Sequence, residues 1–483
     1  MDWKILSHLP LEEQRGIQNE NIKKFFSHKL PFSPYYRELF KKQHIEFTDI
    51  ENIDDLQRIP FTSKHDIAPT PDEPGKTRQL ILQPDETLIK KHASKGELAK
   101  IISMKLTGQN AKEKLEWEYK PIHLHFTTGR TALPTPFGYS AMDLITLKET
   151  GQRLLDVSGA DKNQIGINAF PYAPHLAFWL TAFAMQKIGM TSIQTGGGKI
   201  MGTRKIIDAI ESTKAGLATF IPGYAYHLFR KAANEKRNFS GLHTIIFGGE
   251  RVSPGLREKT KELLRELGSY EPKILATYAF TESKTAWIQC NEDSGYHLYP
   301  DMEYFEVIDK DGNRVPEGEP GELVFTSLGW RGTVVVRYRT GDMTQGIEYR
   351  PCPHCGRTVP RIHPDLQRTS EIKEFHLAKV KGELINLNQF YPLLSGRKDI
   401  EEWQVEIAKD NNDPYGLDQL IIHIAPKENA VYEKVAPSVQ KMILDETGIR
   451  AKINQVPLDD LLMKLGMETE LKEKRIVDNR PKV

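Results

Sequence analysis

Cysteine is scarce in this chain of 483 residues, which contains three: Cys290, Cys352 and Cys355. Three thiols are too few, and the wrong parity, for the disulfide framework of a secreted domain, so a reducing cytoplasm is the expected compartment. The N-terminal residues lack the apolar core of a secretory signal. The sequence contains no run of about 18 apolar residues, so a membrane-spanning helix is not expected. We therefore expect a soluble cytoplasmic protein.

An excess of charge of either sign is also missing. The chain has 66 Lys and Arg residues against 65 Asp and Glu residues, and its formal net charge is +1. Nucleic acid and anionic membrane surfaces are therefore not expected as partners. Hydrophobic residues make up 39% and charged residues 27% of the chain, which is typical of a globular enzyme. The length predicts two or more domains.

Apolar runs of strand length alternate with helical patterns through the middle of the chain. The runs lie at 217–221, 244–247 and 274–278, and a charged helical pattern at 256–267 separates the last two. Strands that alternate with helices predict an α/β fold with a largely parallel sheet.

Two further regions have different patterns. Between 303 and 350, turn signals separate short β-rich runs such as 333–338, which predicts an antiparallel sheet or a small β-barrel-like subdomain. A strand at 419–425 followed by a helix at 431–446 predicts a small mobile α+β domain at the C-terminus. The predicted domains are 1–368 and 369–483.

Four short segments combine residue types that suit a nucleotide. Hydroxyls, a glycine and an arginine at 125–131 can bind phosphate. Two glycines that end the apolar run at 245–250 can let a planar base lie against the backbone. A carboxylate at the end of 277–282 can hold Mg²⁺, and the acidic residue that ends 336–342 can accept hydrogen bonds from ribose hydroxyls.

Each of these segments also has an ordinary structural interpretation. The first is compatible with a Thr/Gly turn, the second with a tight strand-to-helix turn, the third with a solvated glutamate and the fourth with a surface hairpin. The order and spacing of the four segments carry more information than any one of them.

In that order, the segments resemble the acyl-adenylate-forming (ANL) superfamily and, within it, the phenylacetate–CoA ligase family. That family carries S-S-G-T-T-G-K-P, a Gly-(Gly/Ala)-Glu turn, Y-G-x-T-E and Y-R-T-x-D. This chain has L-H-F-T-T-G-R-T, F-G-G-E, Y-A-F-T-E and Y-R-T-G-D. Further similar segments lie at 32–40, 56–67, 355–362 and 474–480, so the resemblance covers nearly the whole chain.

The resemblance implies a reaction in two halves. A carboxylic acid, expected to be aromatic or aryl-acetic, attacks ATP to give an acyl-adenylate and pyrophosphate. The acyl group then passes to CoA with release of AMP. The implied cofactors and co-substrates are ATP, Mg²⁺ and CoA, and the implied enzyme is an AMP-forming acid–CoA ligase.

The resemblance also implies a role for each matching residue. The implied ATP-binding residues are Thr127, Thr128, Gly129 and Arg130 on the phosphates, Gly248, Gly249, Glu250 and Tyr278 around the adenine, and Asp342 and Arg368 at the ribose. The implied catalytic residues are Thr281 and Glu282, which serve the α-phosphate and Mg²⁺, and Lys472 in the tail M-E-T-E-L-K-E-K-R-I-V-D. His175 looks like an acyl-pocket residue, with a structural histidine as the alternative.

The cysteines predict a structural Zn²⁺ site formed by Cys290, His297, Cys352 and Cys355. The sequence P-C-P-H-C-G lets two thiolates reach one ion, and a turn-rich loop separates the other two ligands. Similar Cys and His positions in some relatives of the family favour His297 over His354. The alternatives are unrelated cysteines and a redox C-x-x-C, although no thioredoxin-like pattern surrounds it.

The sequence is compatible with two other functions. The phosphate loop has Leu124, His125 and Phe126 where the family has serines and Thr131 where it has proline, so one alternative is a degenerate, non-catalytic nucleotide- or acyl-binding protein. The other is an enzyme that stops at the adenylate or uses a carrier-protein thiol. The sequence leaves the oligomeric state open, with a homodimer among the options.

Overall fold

Helices are distributed along the whole chain. The computed structural model describes residues 2–70, 72–127, 135–368, 377–380, 383–409, 418–467 and 473–480. The α-helices in these ranges are α1 (Trp3–Leu6), α2 (Leu11–His28), α3 (Pro34–Gln43), α4 (Lys64–Ile67), α5 (Glu86–His92), α6 (Lys95–Leu106), α7 (Ala111–Tyr119), α8 (Ala141–Ser158), α9 (Leu176–Ile188), α10 (Gly198–Met201), α11 (Thr203–Thr213), α12 (Pro222–Asn234), α13 (Pro254–Glu266), α14 (Phe390–Ser395), α15 (Tyr432–Thr447) and α16 (Leu458–Leu465).

Strands are mostly short. Those in the described ranges are β1 (Pro121–Phe126), β2 (Pro136–Ser140), β3 (Gly166–Asn168), β4 (Ser192–Gln194), β5 (Leu217–Phe220), β6 (Thr244–Phe247), β7 (Lys273–Ala279), β8 (Ala286–Ile288), β9 (Tyr296–His297), β10 (Glu303–Ile308), β11 (Gly321–Ser327), β12 (Tyr338–Thr344), β13 (Ile347–Glu348), β14 (Arg361–Ile362), β15 (Leu366–Arg368), β16 (Leu377–Val380), β17 (Glu383–Asn386), β18 (Ile400–Lys409), β19 (Asp418–Pro426), β20 (Lys452–Gln455) and β21 (Ile476–Asp478).

The chain divides into two compact units. The first unit contains residues 1–164, 172–192 and 275–366, and the second contains residues 165–171, 193–274 and 367–483. The predicted boundary at 368/369 marks the start of a mobile C-terminal domain. The two compact units are defined by their internal contacts and do not test mobility, so this boundary remains a prediction. None of the helices in the described ranges combines the length and the apolarity that a bilayer crossing requires.

The first unit is built from antiparallel strand pairs and a packed helix pair. β1 pairs with β2, β7 with β8, and β10, β11 and β12 form an antiparallel ladder. α8 packs against α9 so closely that a Cβ on Gly151 would lie 2.7 Å from Cβ of Ala184. The antiparallel arrangement expected for 303–350 is therefore confirmed.

One predicted run in that region is not a strand. Residues 333–337 carry three valines that are fully buried, but β12 begins only at Tyr338. Arg337 interrupts the extended backbone because its φ is +44°. Its Nε donates to Glu306 Oε2 at 3.1 Å and its Nη1 donates to the carbonyl oxygen of Ile59 at 2.6 Å. A buried, fully paired guanidinium thus stabilises the left-handed conformation that a β-rich pattern does not predict.

The second unit contains the parallel sheet expected from the sequence. β3, β5 and β6 pair in parallel, and α11, α12 and α13 contribute buried residues such as Ile206, Phe229 and Leu264 to its core. Strands β5 and β6 and helix α13 lie where the apolar runs and the charged helical pattern predicted them. The α/β fold class is therefore confirmed.

The C-terminal part of the second unit is an α+β fold with its own core. Its sheet has the order β20-β19-β18-β21, in which β18 and β19 are antiparallel and the outer pairs are parallel. Trp403 and Val405 of β18 pack with Val439 and Ile443 of α15. The strand and helix predicted here correspond to β19 and α15.

Candidate active site and metal centre

The end of β7 and the middle of β12 bring two candidate nucleotide-binding residues together. The hydroxyl of Tyr278 donates to Oδ2 of Asp342 at 2.8 Å, and both side chains are buried. The register between β11 and β12 shifts between Arg339 and Met343, and Gly341 in this stretch has a φ of +73°. Such a bulge redirects the residue that follows it. Glycine is favoured at this φ because it lacks a Cβ.

Glu282 lies in a short 3₁₀ turn, Thr281–Ser283, directly after β7. Its side chain is buried, and the hydroxyl of Tyr338 donates to its Oε1 at 2.8 Å. The pairing is reciprocal, because β7 supplies the tyrosine for Asp342 and β12 supplies the tyrosine for Glu282. The structure therefore places the predicted Mg²⁺ ligand and the predicted ribose ligand on adjoining segments of one unit.

A buried ion pair that the sequence analysis missed anchors the turn that carries Glu282. Lys284 adopts a left-handed φ of +62°, and its Nζ donates to Asp143 Oδ2 at 2.8 Å and to the carbonyl oxygen of Thr333 at 3.1 Å. Burial lowers the pKa of Lys284, and Asp143 opposes that shift. The sequence feature that could have indicated this ion pair is a lysine two residues after the predicted catalytic glutamate.

The β1–β2 hairpin delimits the predicted phosphate loop. The N–H of Thr127 donates to the carbonyl oxygen of Thr135, and the N–H of Thr135 donates to Oγ1 of Thr127, both at 3.1 Å. Thr128, Gly129 and Arg130 lie outside the described residues. The structure therefore defines the two ends of this loop.

Two histidines occupy the strand that leads into the loop. His125 is fully buried, and its Nδ1 lies 2.9 Å from the hydroxyl of Tyr139. Its Nε2 lies 2.9 Å from Nε2 of His123. Burial lowers the pKa of His125 to about 3, so its imidazole is neutral at pH 7. The alternation H-L-H in a strand puts both rings on one face, a signal that the sequence analysis did not use.

His175 directly precedes α9 and lies beside an apolar cavity. Its Nδ1 is 3.0 Å from the carbonyl oxygen of Phe126. The cavity has a volume of about 520 Å³ and is lined by Pro69, Pro74, Phe126, Thr127, Pro136, Pro174 and His175. The predicted acyl-pocket histidine and the first residue of the predicted phosphate loop thus share one cavity.

The Gly-Gly-Glu turn of the second unit follows β6 directly. Gly249 has a φ of +85°, and a Cβ there would meet only Ile221 Cγ1, at 3.9 Å. The backbone conformation, rather than a lack of space, therefore requires glycine. Glu250 Oε1 lies 3.4 Å from the backbone N–H of Glu473. Lys472 lies outside the described residues, as does the side chain of Arg368 in β15.

The four predicted metal ligands form a cluster. Cys290, His297 and Cys352 are buried and Cys355 is partly buried, and their ligand atoms lie within 4.8 Å of one another. The Cys290 and Cys352 sulfurs are 3.5 Å apart, and the Cys355 sulfur is 3.3 Å from Nε2 of His297. Tetrahedral zinc with Zn–S bonds of about 2.3 Å requires sulfurs about 3.8 Å apart, so the donor set fits a Cys₃His zinc site.

The sheet β13-β14-β9 explains how distant residues form this cluster. β14 pairs with β9 so that Arg361 faces His297, and the loop between β13 and β14 carries Cys352 and Cys355. The Nδ1 of His297 lies 3.3 Å from the carbonyl oxygen of Ile288, which suits an Nδ1–H donor and leaves Nε2 for a metal. His354 instead lies 2.9 Å from the amide nitrogen of Asn291, outside the cluster.

Comparisons with known proteins agree on one family. The sequence model described as AMP-binding enzyme matches residues 62–330. The chain is 26% identical over 473 residues to the phenylacetate-coenzyme A ligase of Thermus thermophilus, which is 94% of each chain. It is 24% identical over 486 residues to the phenylacetate-coenzyme A ligase of Aromatoleum evansii, covering 98% of this chain and 96% of that protein.

A solved structure shares the fold. It is 2-hydroxyisobutyryl-CoA ligase in the postadenylation state, in complex with R3-HIB-AMP, and it matches with a TM-score of 0.76 at 19% identity. The match covers 99% of this chain and 92% of that one. The likeness extends over both compact units.

Lys284→Met is expected to lower the free energy of unfolding by about 3–5 kcal/mol, because it leaves the Asp143 carboxylate buried without its counter-charge. Chemical denaturation followed by tryptophan fluorescence measures the change. Lys24→Met removes a lysine from the exposed pair with Glu20 and should cost less than about 1 kcal/mol. Equal effects of the two substitutions would show that the buried pair does not stabilise the unit.

Proposed function

The chain belongs to the AMP-binding enzyme family, whose sequence model covers more than half of it, and we propose that it is an AMP-forming acid–CoA ligase. The phenylacetate-coenzyme A ligases similar to it along nearly their whole length support this activity. One observation carries the proposal: the Tyr278–Asp342 and Tyr338–Glu282 pairs hold the two carboxylates of the family motifs together.

Each of the described residues has a separate proposed role in adenylation. Asp342 accepts hydrogen bonds from the ribose, and Glu282 would hold Mg²⁺, which neutralises charge on the phosphates when it is bound. Tyr338 orients the Glu282 carboxylate, and Lys284 holds the turn on which Glu282 lies. Preorganised charges of this kind stabilise the charge that develops in the transition state without reorganising during the reaction.

The acid is proposed to be aromatic or aryl-acetic. The relatives named phenylacetate-coenzyme A ligase favour such an acid, and the cavity beside His175 is lined mainly by prolines and Phe126. Apolar walls with few polar groups suit an aromatic ring. A short hydroxy acid is the second candidate, because the structure with the same fold is a 2-hydroxyisobutyryl-CoA ligase.

A panel of acids separates these candidates. Thioester and AMP are measured with phenylacetate, benzoate, 2-hydroxyisobutyrate and a fatty acid, each with ATP, Mg²⁺ and CoA. Preferred turnover of phenylacetate or benzoate supports the aromatic assignment, and preferred turnover of 2-hydroxyisobutyrate supports the second candidate. AMP formation without thioester would indicate an enzyme that stops at the adenylate or needs a carrier-protein thiol. No product with any acid would indicate a non-catalytic binding protein.

Residues 369–483 are proposed as the mobile C-terminal domain. Their own hydrophobic core, formed around Trp403 and Val439, supports an independent folding unit. The family resemblance implies that this domain rotates between the two half-reactions, and such closure gates many enzymes. Lys472 is proposed to approach the reacting carboxylate and α-phosphate during adenylation.

The Cys₃His cluster is proposed as a structural zinc site. Three thiolates and one imidazole form a closed tetrahedral set with no open position for substrate. Cys290 lies in the loop after β8, His297 ends β9, and the other two ligands lie in the loop between β13 and β14, so a bound ion would join these segments. The thiolates and the imidazole are ligands of zinc rather than reactants in this proposal.

Glu282→Gln is expected to slow pyrophosphate release by about a hundredfold or more, because the charge that would hold Mg²⁺ is lost while the size is kept. The rate is measured from the pyrophosphate released with the preferred acid in reactions quenched at fixed times. Glu319→Gln, which changes an exposed glutamate of the same unit, is the matched control. A rate near that of the control would remove Glu282 from the mechanism.

Lys472→Ala is expected to impair adenylate formation and to spare thioester formation from presynthesised acyl-adenylate, because the lysine neutralises charge only in the first half-reaction. The two half-reactions are assayed separately. Lys474→Ala removes the neighbouring exposed lysine of the same tail and should affect neither. Normal rates of both half-reactions in Lys472→Ala would exclude the assignment.

Cys352→Ser is expected to abolish metal binding and to lower the melting temperature more than the affinity for substrate. Elemental analysis of the unaltered protein should give about one zinc per chain, since a structural site couples binding to folding. His354→Ala, which lies between the two cysteines but outside the cluster, should keep its zinc. Metal-free protein with unchanged stability would refute the site.

A further inference from the structure

Two consecutive helices of the second unit begin with the same dipeptide. α12 starts with Pro222-Gly223 and α13 starts with Pro254-Gly255. Proline at the first helical position is common because its missing N–H has no partner there. Glycine at the second position weakens a helix relative to alanine. Neither glycine has a positive φ, so backbone conformation does not explain them.

The C-terminal segment lies directly against both glycines. A Cβ on Gly255 would lie 2.7 Å from the carbonyl oxygen of Ser395 and 3.3 Å from Cα of Gly396. A Cβ on Gly223 would lie 2.7 Å from Cδ of Glu473. These separations are shorter than normal non-bonded contacts. The missing side chain of Gly255 therefore allows a close approach between two backbones, whereas the neighbour of Gly223 is the end of the flexible Glu473 side chain.

Charged groups surround the two close approaches. Arg230 of α12 lies 3.3 Å from Glu401 and 3.8 Å from Glu402, and the hydroxyl of Tyr226 donates to Glu401 at 3.1 Å. Lys259 of α13 donates from its Nζ to the carbonyl oxygen of Ile400 at 2.9 Å. We call the surface formed by these α12 and α13 residues the docking face: Gly223, Tyr226, Arg230, Gly255 and Lys259.

The same charges continue into the tail that follows residue 472. Arg475 donates to Glu402 Oε2 at 2.7 Å and to Glu473 Oε1 at 2.6 Å. The backbone N–H of Glu473 faces Glu250 of the Gly-Gly-Glu turn at 3.4 Å. Docking of β18 on α12 therefore fixes the position of the residue next to Lys472 beside the proposed adenine site.

The contact is suited to forming and separating. Buried ion pairs gain little over apolar contacts because their charges lose hydration, and water restores that hydration when the surfaces separate. The docking face contributes the positive charges of Arg230 and Lys259, and the C-terminal segment contributes Glu401, Glu402 and Glu473 with Arg475. The two surfaces therefore attract each other through opposite charges that water can hydrate when they separate.

We propose that Gly255 and Arg230 are positioning residues that seat the C-terminal segment on the docking face for adenylation only. The proposal rests on the proposed ligase function. It assigns to the close approach at Gly255 control over whether Lys472 is aligned. Because the proposed C-terminal domain rotates between the half-reactions, thioester formation would not use this seat.

Gly255→Ala tests the proposal in the full-length chain. Alanine suits the second position of a helix, so the substitution should leave α13 intact while its methyl group meets the Ser395 backbone. Adenylation should slow by about a hundredfold, as expected for a displaced catalytic group, whereas thioester formation from presynthesised adenylate should stay within about twofold. Gly96→Ala is the matched control, because Gly96 is also the second residue of a helix and has nothing within 4 Å of its Cβ position.

Arg230 supplies a second variant that does not depend on a steric clash. Arg230→Met should slow adenylation selectively, and Arg230→Lys should restore part of the rate because it keeps the charge near Glu401. Unchanged adenylation in Gly255→Ala, or equal loss of both half-reactions in Gly255→Ala and Arg230→Met, would overturn the proposal.

Hydrogen–deuterium exchange separates this proposal from the ligase proposal. Amides of 390–403 should exchange faster in Gly255→Ala than in Gly96→Ala, whatever the enzyme activates. Faster exchange in a protein that forms no adenylate with any acid would support the seat and contradict the ligase function. Unchanged exchange would overturn the seat even if the ligase function is demonstrated.

Discussion

One buried carboxylate, that of Asp143, determines how three segments of the first unit meet. It accepts the N–H groups of Arg331 and Gly332 at 2.6 and 2.7 Å and the Nζ of Lys284 at 2.8 Å. It also completes the capping box of α8 with Ser140. A buried carboxylate is costly unless it is paired and hydrogen-bonded. The strand that returns from the phosphate loop, the 331–332 turn and the turn of Glu282 must therefore converge on it.

The two carboxylates proposed to act on the nucleotide are arranged on that foundation. Tyr278 and Tyr338 each donate to the carboxylate that the other's segment carries, so movement of either segment would disturb both. The Cys₃His cluster adds a third constraint, because its four residues flank these segments in the sequence and are brought together by β9 and β14. The proposed catalytic groups thus depend on side-chain pairs rather than on the hydrophobic core alone.

The ion pairs of the second unit differ from the Asp143 pair in where they lie. Around Asp143 the ion pair is fully enclosed, whereas Arg230, Glu401 and Lys259 lie where two separate cores meet, one around Phe229 and one around Trp403. Charged groups lose hydration when they form ionic contacts between two cores, and they regain it when the cores separate. In the first unit, the residues that must keep one geometry are therefore buried and paired. In the second unit, the residues proposed to separate between the half-reactions form ionic contacts.

The sequence by itself determined the α/β class, the positions of β5, β6 and α13 and the identity of the four clustered Cys and His residues. Apolar periodicity and the C-x-x-C spacing are local and can be read along the chain, whereas the choice of His297 came from the family resemblance. Tertiary structure alone decided that Arg337 interrupts a run of valines, that His125 and Lys284 are buried, and that Gly255 faces Ser395. These features arise from partners more than 100 residues away in the case of Lys284 and Asp143, or from the close approach of two backbones. No local pattern encodes such contacts, because packing and electrostatics between distant segments determine them.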